Sequence, residues 1–366
     1  MHRFLSIHLL LIFFNLVSYA QNDRPKTLDS LFRTFFPDNE PGGAVLIARD
    51  GQVKFSKGYG ISDMLSREQM TTKTLLNLGS ISKTFVAYGI LQLAEEKKLS
   101  LNDPVGKYFP GFRNKEIAQK VKLFHLLTHS SGLPDNRRTK EDSIFYLSAK
   151  DLENFNPILE NDSLHFEPGE RFEYSNPAFN GLALVIEQVT KMKWQDYIRE
   201  LIFRPAGMKR STITDGPYPE KGVAHAYLTD GASWYEQDYG EEPTFAASGN
   251  GGVWSNVEEL WKYELAIQRH RFLNQAWISS SRTPYPLKNW KGDTPPFIGL
   301  SWFITEMNGV RTIGHTGSQG GFLADYVWVP DEDFFYVVLC NTPRDLNSLR
   351  AKVFALSNIK NRKRGK

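Results

Sequence analysis

GGAVLIARDGQVKFSKGYG, residues 42–60, decides the fold class. Two runs rich in apolar and β-branched residues flank Asp50-Gly51, a pair that takes the positive φ angles of a tight turn. The stretch predicts a β-hairpin near the front of the chain. Strand patterns return in the last third, over 298–304, 310–314, 322–329 and 334–340, and a helix pattern follows over about 345–357. A short helix is predicted over 26–36. Between the hairpin and the late strands lie helices and long irregular loops punctuated by Gly, Pro and Asn. The clearest of these helices runs from about Pro177 to Val189, and Ser255 with Glu258 forms a predicted capping box. Strands at both ends with helices between predict an α/β (α+β) fold. One antiparallel sheet is flanked by N- and C-terminal helices, and an all-α domain is inserted into it. The expected boundaries are 21–83 with 246–358 for the sheet domain, 84–245 for the helical domain and 359–366 for a basic tail. A pocket is expected in the crevice between the two.

The 366 residues supply ample material for a core, and 41% hydrophobic with 23% charged residues is a globular balance. Met1-His2-Arg3 is a short basic start. FLSIHLLLIFFNLVS, 4–18, is almost wholly apolar, and Ser18-Tyr19-Ala20 offers small residues before Gln21. This predicts a signal peptide over 1–20, cleaved on export to the periplasm or the outside of the cell. Cys340 is the single cysteine, so no intramolecular disulfide is possible. Its setting, FFYVVLCN, predicts a buried, inert thiol. The net charge is +3, but Arg3 and the tail cations Lys360, Arg362, Lys363, Arg364 and Lys366 leave a slightly acidic body. No nucleic-acid-binding face follows from that distribution. Weak attraction of the tail to a membrane or cell wall does.

NLGSISKTF, 77–85, opens a predicted helix from Ser80 to about Lys98, with Phe85, Val86, Ile90, Leu91 and Leu93 as its apolar stripe. Residues three apart on a helix share a face. Ser80 and Lys83 therefore suit a nucleophile and a base, provided the lysine amine is held neutral. A second S-x-x-K, Ser357–Lys360, shows that the tetrapeptide alone decides nothing. Tyr174-Ser175-Asn176 precedes a helix; the plain reading is a cap, and the chemical reading is a phenol that shuttles protons beside Ser80. His315-Thr316-Gly317 sits on a late strand. The plain reading is a strand ending in a turn; in the chemical reading Gly317 admits a close substrate backbone, the Ser318 and Ser80 N–H groups would form an oxyanion hole, and His315 and Thr316 would meet the polar or acidic end of a substrate. His125 and His129 have a spacing that would put two imidazoles on one helix face. H-E-x-x-H is absent and no third ligand is evident, so a helix end at THSSGLP is expected instead of a zinc site. Trp234, Tyr235 and Tyr239 suit either crevice or core.

S-x-x-K, then Y-x-N, then H-T-G, in that order, resembles the serine β-lactamase and penicillin-recognising enzyme superfamily, in particular its class C β-lactamase-like branch with related esterases and D-amino-acid peptidases. VKLFHLLTHSSGLP (121–134), FEPGERFEYSN (166–176), LIFRPAGM (201–208) and GHTGSQGGF (314–322) strengthen the resemblance, which spans roughly 25–357. It implies Ser80 as acyl-enzyme nucleophile, Lys83 as its base and Tyr174 as proton shuttle. Asn176 would bind the substrate amide or Lys83. A small-molecule or peptide acyl substrate and no cofactor are implied. His315 departs from the family's lysine. Its ordinary pKa of about 6.5 leaves little positive charge at neutral pH, which points away from β-lactam carboxylates and toward an esterase, amidase or D-peptidase. The alternative is a catalytically silent sensor of cell-wall peptides on the same scaffold.

Overall fold

The computed structural model describes residues 27–139, 148–216, 218–236 and 246–359. The predicted signal peptide, Tyr239 and the basic tail with Lys360 lie outside them. Six strands form one antiparallel sheet: β1 (Gly43–Arg49), β2 (Gln52–Tyr59), β3 (Phe303–Met307), β4 (Val310–Gln319), β5 (Phe322–Val329) and β6 (Phe334–Cys340). Their spatial order is β3-β4-β5-β6-β1-β2. The hairpin is as expected: Asp50 and Gly51 both have positive φ, 54° and 70°. β1 then pairs with β6, from Gly43 opposite Cys340 to Arg49 opposite Phe334. That ladder joins the first third of the chain to the last.

The two central strands read as nearly continuous apolar runs because both of their faces are covered. One face holds Val45, Ile47, Tyr336 and Val338, packed under α1 (Leu28–Phe35) and α6 (Leu346–Leu356) through Leu31, Phe32, Leu349, Val353 and Phe354. Each such buried side chain contributes about 1.5–3 kcal/mol. The other face holds Ala44, Leu46, Val337 and Leu339, in the larger core with α2 (Ser82–Glu95) and α5 (Val257–Gln268). Cys340 is fully buried on the α1/α6 side, and burial pushes its thiol up to about 12, as an inert group requires.

Several local expectations are corrected. The α-helix predicted from Ser80 begins at Ser82, because residues 79–81 wind as a tighter 3-10 turn closed by Ile81 N–H to Leu78 O. α2 is also buried all round rather than along one stripe, since it runs between the sheet and the helices. The capping box expected at Ser255 and Glu258 is replaced by a simple cap: Ser255 ends a short strand, Val253–Ser255, and Asn256 caps α5 by accepting from Glu259 N–H. The strand expected over 298–304 begins only at Phe303, because Ser301 takes a left-handed φ of 75° that breaks the extended run. β4, by contrast, extends past 314 to Gln319.

Candidate active site

Ser80 stands on the 3-10 turn Gly79–Ile81, which links a short strand, Leu76–Asn77, to α2. Asn77 Oδ1 accepts the Gly79 N–H at 2.9 Å, and Leu78 N–H donates to Val253 O at 2.9 Å. The nucleophile candidate is therefore fixed by two turn contacts before the helix begins.

Lys83 is fully buried. Its Nζ lies 3.0 Å from Ser80 Oγ and 2.8 Å from the Asn250 carbonyl oxygen. The ring centroids of Tyr174 and Phe179 are 5.1 and 5.8 Å away. Burial, and then the positive charge of Arg137, hold the amine well below its ordinary range. No carboxylate among the described residues counters that shift. A neutral amine at hydrogen-bond distance from a serine hydroxyl can take its proton.

Tyr174 faces Ser80 across the crevice, and the Ser80 hydroxyl is near enough to act on its phenol. The residue is 39% exposed on the crevice wall, so a substrate can touch it. Burial, opposed by the Ser80 hydroxyl, pushes its phenol up to about 12. It is protonated at neutral pH and acts as a donor before it can act as an acceptor. Ser175, not Asn176, caps α4 (Asn176–Thr190) by accepting from Ala178 N–H. Asn176 is the first helical residue, half-buried, and Lys83 bonds the Asn250 carbonyl instead of it.

β4 brings in the third group. A Cβ placed on Gly317 would sit 2.0 Å from Leu78 O, and one on Gly79 (φ 50°) would sit 2.6 Å from Ser318 N. Two glycines thus let strand and turn meet backbone to backbone, and Ser80 and Ser318 border one crevice. Strand alternation turns His315 inward and Thr316 and Ser318 outward. His315 is 3% exposed, edge-on to Phe303 at 5.2 Å. Its Nδ1 donates to Thr316 O at 2.6 Å. Burial, and then the charge of Lys83, lower it to about 3, against the pull of that bond. Residue 315 carries no charge at neutral pH.

The crevice encloses about 480 Å³. Ser80, Tyr174, His315, Thr316, Gly317 and Ser318 all line it; Lys83 reaches it from behind Ser80. Sequence reading missed Arg344, from the turn into α6, and Asn347, from the first turn of α6 itself. Arg344 puts a guanidinium in the lining, but that charge is already paired with the Glu40 carboxylate at 2.8 Å. No motif marks it, and only the pairing of β6 beside β1 and β5 places it there. Asn250 was missed too, although SGNGG (248–252) is a loop signal. Trp234 and Tyr235 do not line the crevice, though Trp234 lies 5.8 Å from Arg344.

His125 and His129 part company. α3 (Leu123–Leu127) ends between them, as the helix-end reading expected, and His129 takes a left-handed φ of 52°. His125 Nδ1 accepts from Lys122 N–H and His129 Nδ1 from Ser175 N–H. Among the described residues no group of three or more His, Cys, Asp and Glu side chains is placed to hold a metal ion.

A family model described as Beta-lactamase matches residues 28–356. The chain is 29% identical over 355 residues to Penicillin-binding protein 4* of Bacillus subtilis, covering 93% of this chain and 76% of that protein. It is 31% identical to Protein flp of Staphylococcus aureus, over 87% of this chain but only 64% of that protein's length. Among solved structures, an octameric penicillin-binding protein homologue from Pyrococcus abyssi superposes with a TM-score of 0.75 at 28% identity, over 88% of this chain and 75% of that one. A D-amino acid amidase from Ochrobactrum anthropi has a TM-score of 0.70 at 20% identity, over 86% and 93%, a likeness of fold.

Proposed function

Since this chain belongs to the Beta-lactamase family, we propose that it is a serine hydrolase working through a Ser80 acyl-enzyme. The buried Lys83 amine, held well below its ordinary range and 3.0 Å from Ser80 Oγ, carries the reading. Ser80 Oγ attacks the acyl carbon while its proton passes to Lys83 Nζ. The carbonyl oxygen gathers negative charge and is held by the Ser80 and Ser318 N–H groups, worth about 2.7–4 kcal/mol per donor in such sites. The carbon–heteroatom bond then breaks. Tyr174, protonated at neutral pH, gives its proton to the leaving group and is refilled from Lys83, which returns the amine to its neutral state. Water then attacks the Ser80 ester by the same route, Tyr174 and Lys83 accepting its proton and returning one to Ser80 Oγ.

The substrates proposed are an ester, an amide or a D-amino-acid peptide bond. The names of the relatives, penicillin-binding proteins and a D-amino acid amidase, support acyl substrates of that kind. A neutral His315 withdraws the fixed charge that a β-lactam carboxylate would meet, so penicillins rank below short acyl esters and D-peptides. Asn176 and Thr316 are assigned to the substrate's amide and polar end. Export is proposed on the apolar 4–18 run and the small residues before Gln21. The test is turnover of a panel of p-nitrophenyl esters, D-Ala-D-Ala peptides and penicillin, with intact mass followed in time. Hydrolysis of the first two with a transient acyl adduct is the expected result. Peptide binding with neither turnover nor adduct would establish the silent sensor instead.

A further inference from the structure

His129 belongs to none of the three motifs, yet four observations converge on it. It is fully buried in a left-handed conformation, φ 52°, which is uncommon for residues other than glycine and carries a cost that the surroundings must offset. Its carbonyl oxygen accepts the Glu173 N–H at 2.8 Å, and its Nδ1 accepts the Ser175 N–H at 3.0 Å. Its ring stacks on Tyr174, centroids 4.4 Å apart and 23° between planes. Phe172 and Phe179 enclose the same ring at 5.6 and 5.1 Å.

From this geometry we infer that His129 is the positioning residue for Tyr174: it grips the backbone on both sides of that residue and holds the phenol against Ser80 with its own ring. The left-handed turn is what lets one residue do all three, because it aims carbonyl and side chain at the same strand of chain. The grip also fixes a tautomer. Nδ1 accepts from an amide N–H, so in the neutral ring the proton sits on Nε2. A ring kept only for packing would need no bare Nδ1. The inference rests on the proposed role of Tyr174, and the experiment separates the two.

Acylation rate per folded site, counted by active-site titration, is measured for His129→Ala, His129→Asn, Tyr174→Phe and both double variants. Asparagine tolerates the left-handed φ and keeps a short acceptor but lacks the ring. His129→Ala is expected to lower kcat about 10²-fold with KM nearly unchanged, as a misplaced proton-transfer group does. His129→Asn falls between it and wild type. In the Tyr174→Phe background either change is expected to cost less than about twofold, because the group it positions is gone. Full multiplication of the losses in that background would overturn the inference. Tyr174→Phe acylating at the wild-type rate would instead overturn the role of Tyr174. The ¹⁵N spectrum of histidine-labelled wild-type protein decides the clamp even if a variant fails to fold. A proton on Nε2 of His129 is expected, and a proton on Nδ1 contradicts it.

Discussion

The backbone nitrogen of Ser318 lies 2.6 Å from where a Cβ on Gly79 would stand, with Ser318 C and O each 2.9 Å from it. Backbone has nowhere to retreat, and alanine also resists φ 50°. Gly79→Ala is therefore expected to push β4 off the Ser80 turn. Overpacking of this kind costs about 1–3 kcal/mol. Loss of the aligned N–H pair costs about 10²–10³ in rate. Urea denaturation and single-turnover acylation read the two separately, and a fully active Gly79→Ala would refute the shared-wall geometry.

Lys83→Met keeps the side-chain length without the amine. Acylation is expected to fall at least about 10²–10⁴-fold, the contribution of a positioned base. The fold should survive, because the buried amine's desolvation cost leaves with it. In the wild type, activity should rise with pH as Lys83 loses its proton, at a pH well below the ordinary amine value of 10.5, and fall only near about 12, where Tyr174 ionises. A kcat/KM profile whose acid limb sits at the ordinary amine value would show that Lys83 is charged and not the base.

His315 sets an acid stability limit. Its pKa is about 3 folded against 6.5 ordinarily, so between those values the unfolded chain binds a proton that the folded chain refuses. Stability is complete above about 6.5 and declines as pH falls, with a slope approaching about 1.4 kcal/mol per pH unit. His125, lowered to about 4 by burial and then by Lys122, acts in the same direction. Melting temperatures measured from pH 7 to 4 should fall, and less steeply for His315→Asn. Parallel curves for the two proteins would place the titration elsewhere.

Glu264 and Arg282 form a buried two-pronged pair, both contacts 2.8 Å, with Tyr326 OH also donating to the carboxylate. Burial pushes Glu264 up, but the Arg282 charge prevails and keeps it ionised. Glu264→Ala strands a buried guanidinium and should cost about 3–5 kcal/mol. Glu200→Ala, which breaks an exposed pair with Arg204, should cost no more than about 1 kcal/mol. Equal losses in chemical denaturation would contradict that burial difference.

The antiparallel sheet was legible because Asp50-Gly51 and the apolar runs of β1 and β6 are local signals. The Ser80–Lys83 pairing was legible because a three-residue spacing survives the change from α to 3-10 winding. Asn250, Arg344 and His129 were not legible as site residues. Each joins the site through a contact distant in sequence: Asn250 by a carbonyl to Lys83 that any residue could supply, Arg344 by strand pairing, His129 by a left-handed turn against Tyr174. The lowered pKa of Lys83 was a condition that sequence could state but not meet, since it depends on burial against Tyr174 and Phe179 and on the charge of Arg137.

The central claim is that Ser80, activated by Lys83, forms the acyl-enzyme. The most direct measurement is intact-mass and peptide-mapping spectrometry after exposure to a fluorophosphonate, for wild type and Ser80→Ala. One adduct on the Ser80 peptide in the wild type and none in the variant is the predicted result. An undiminished adduct in Ser80→Ala, or a wild-type adduct mapped to another residue, would contradict it.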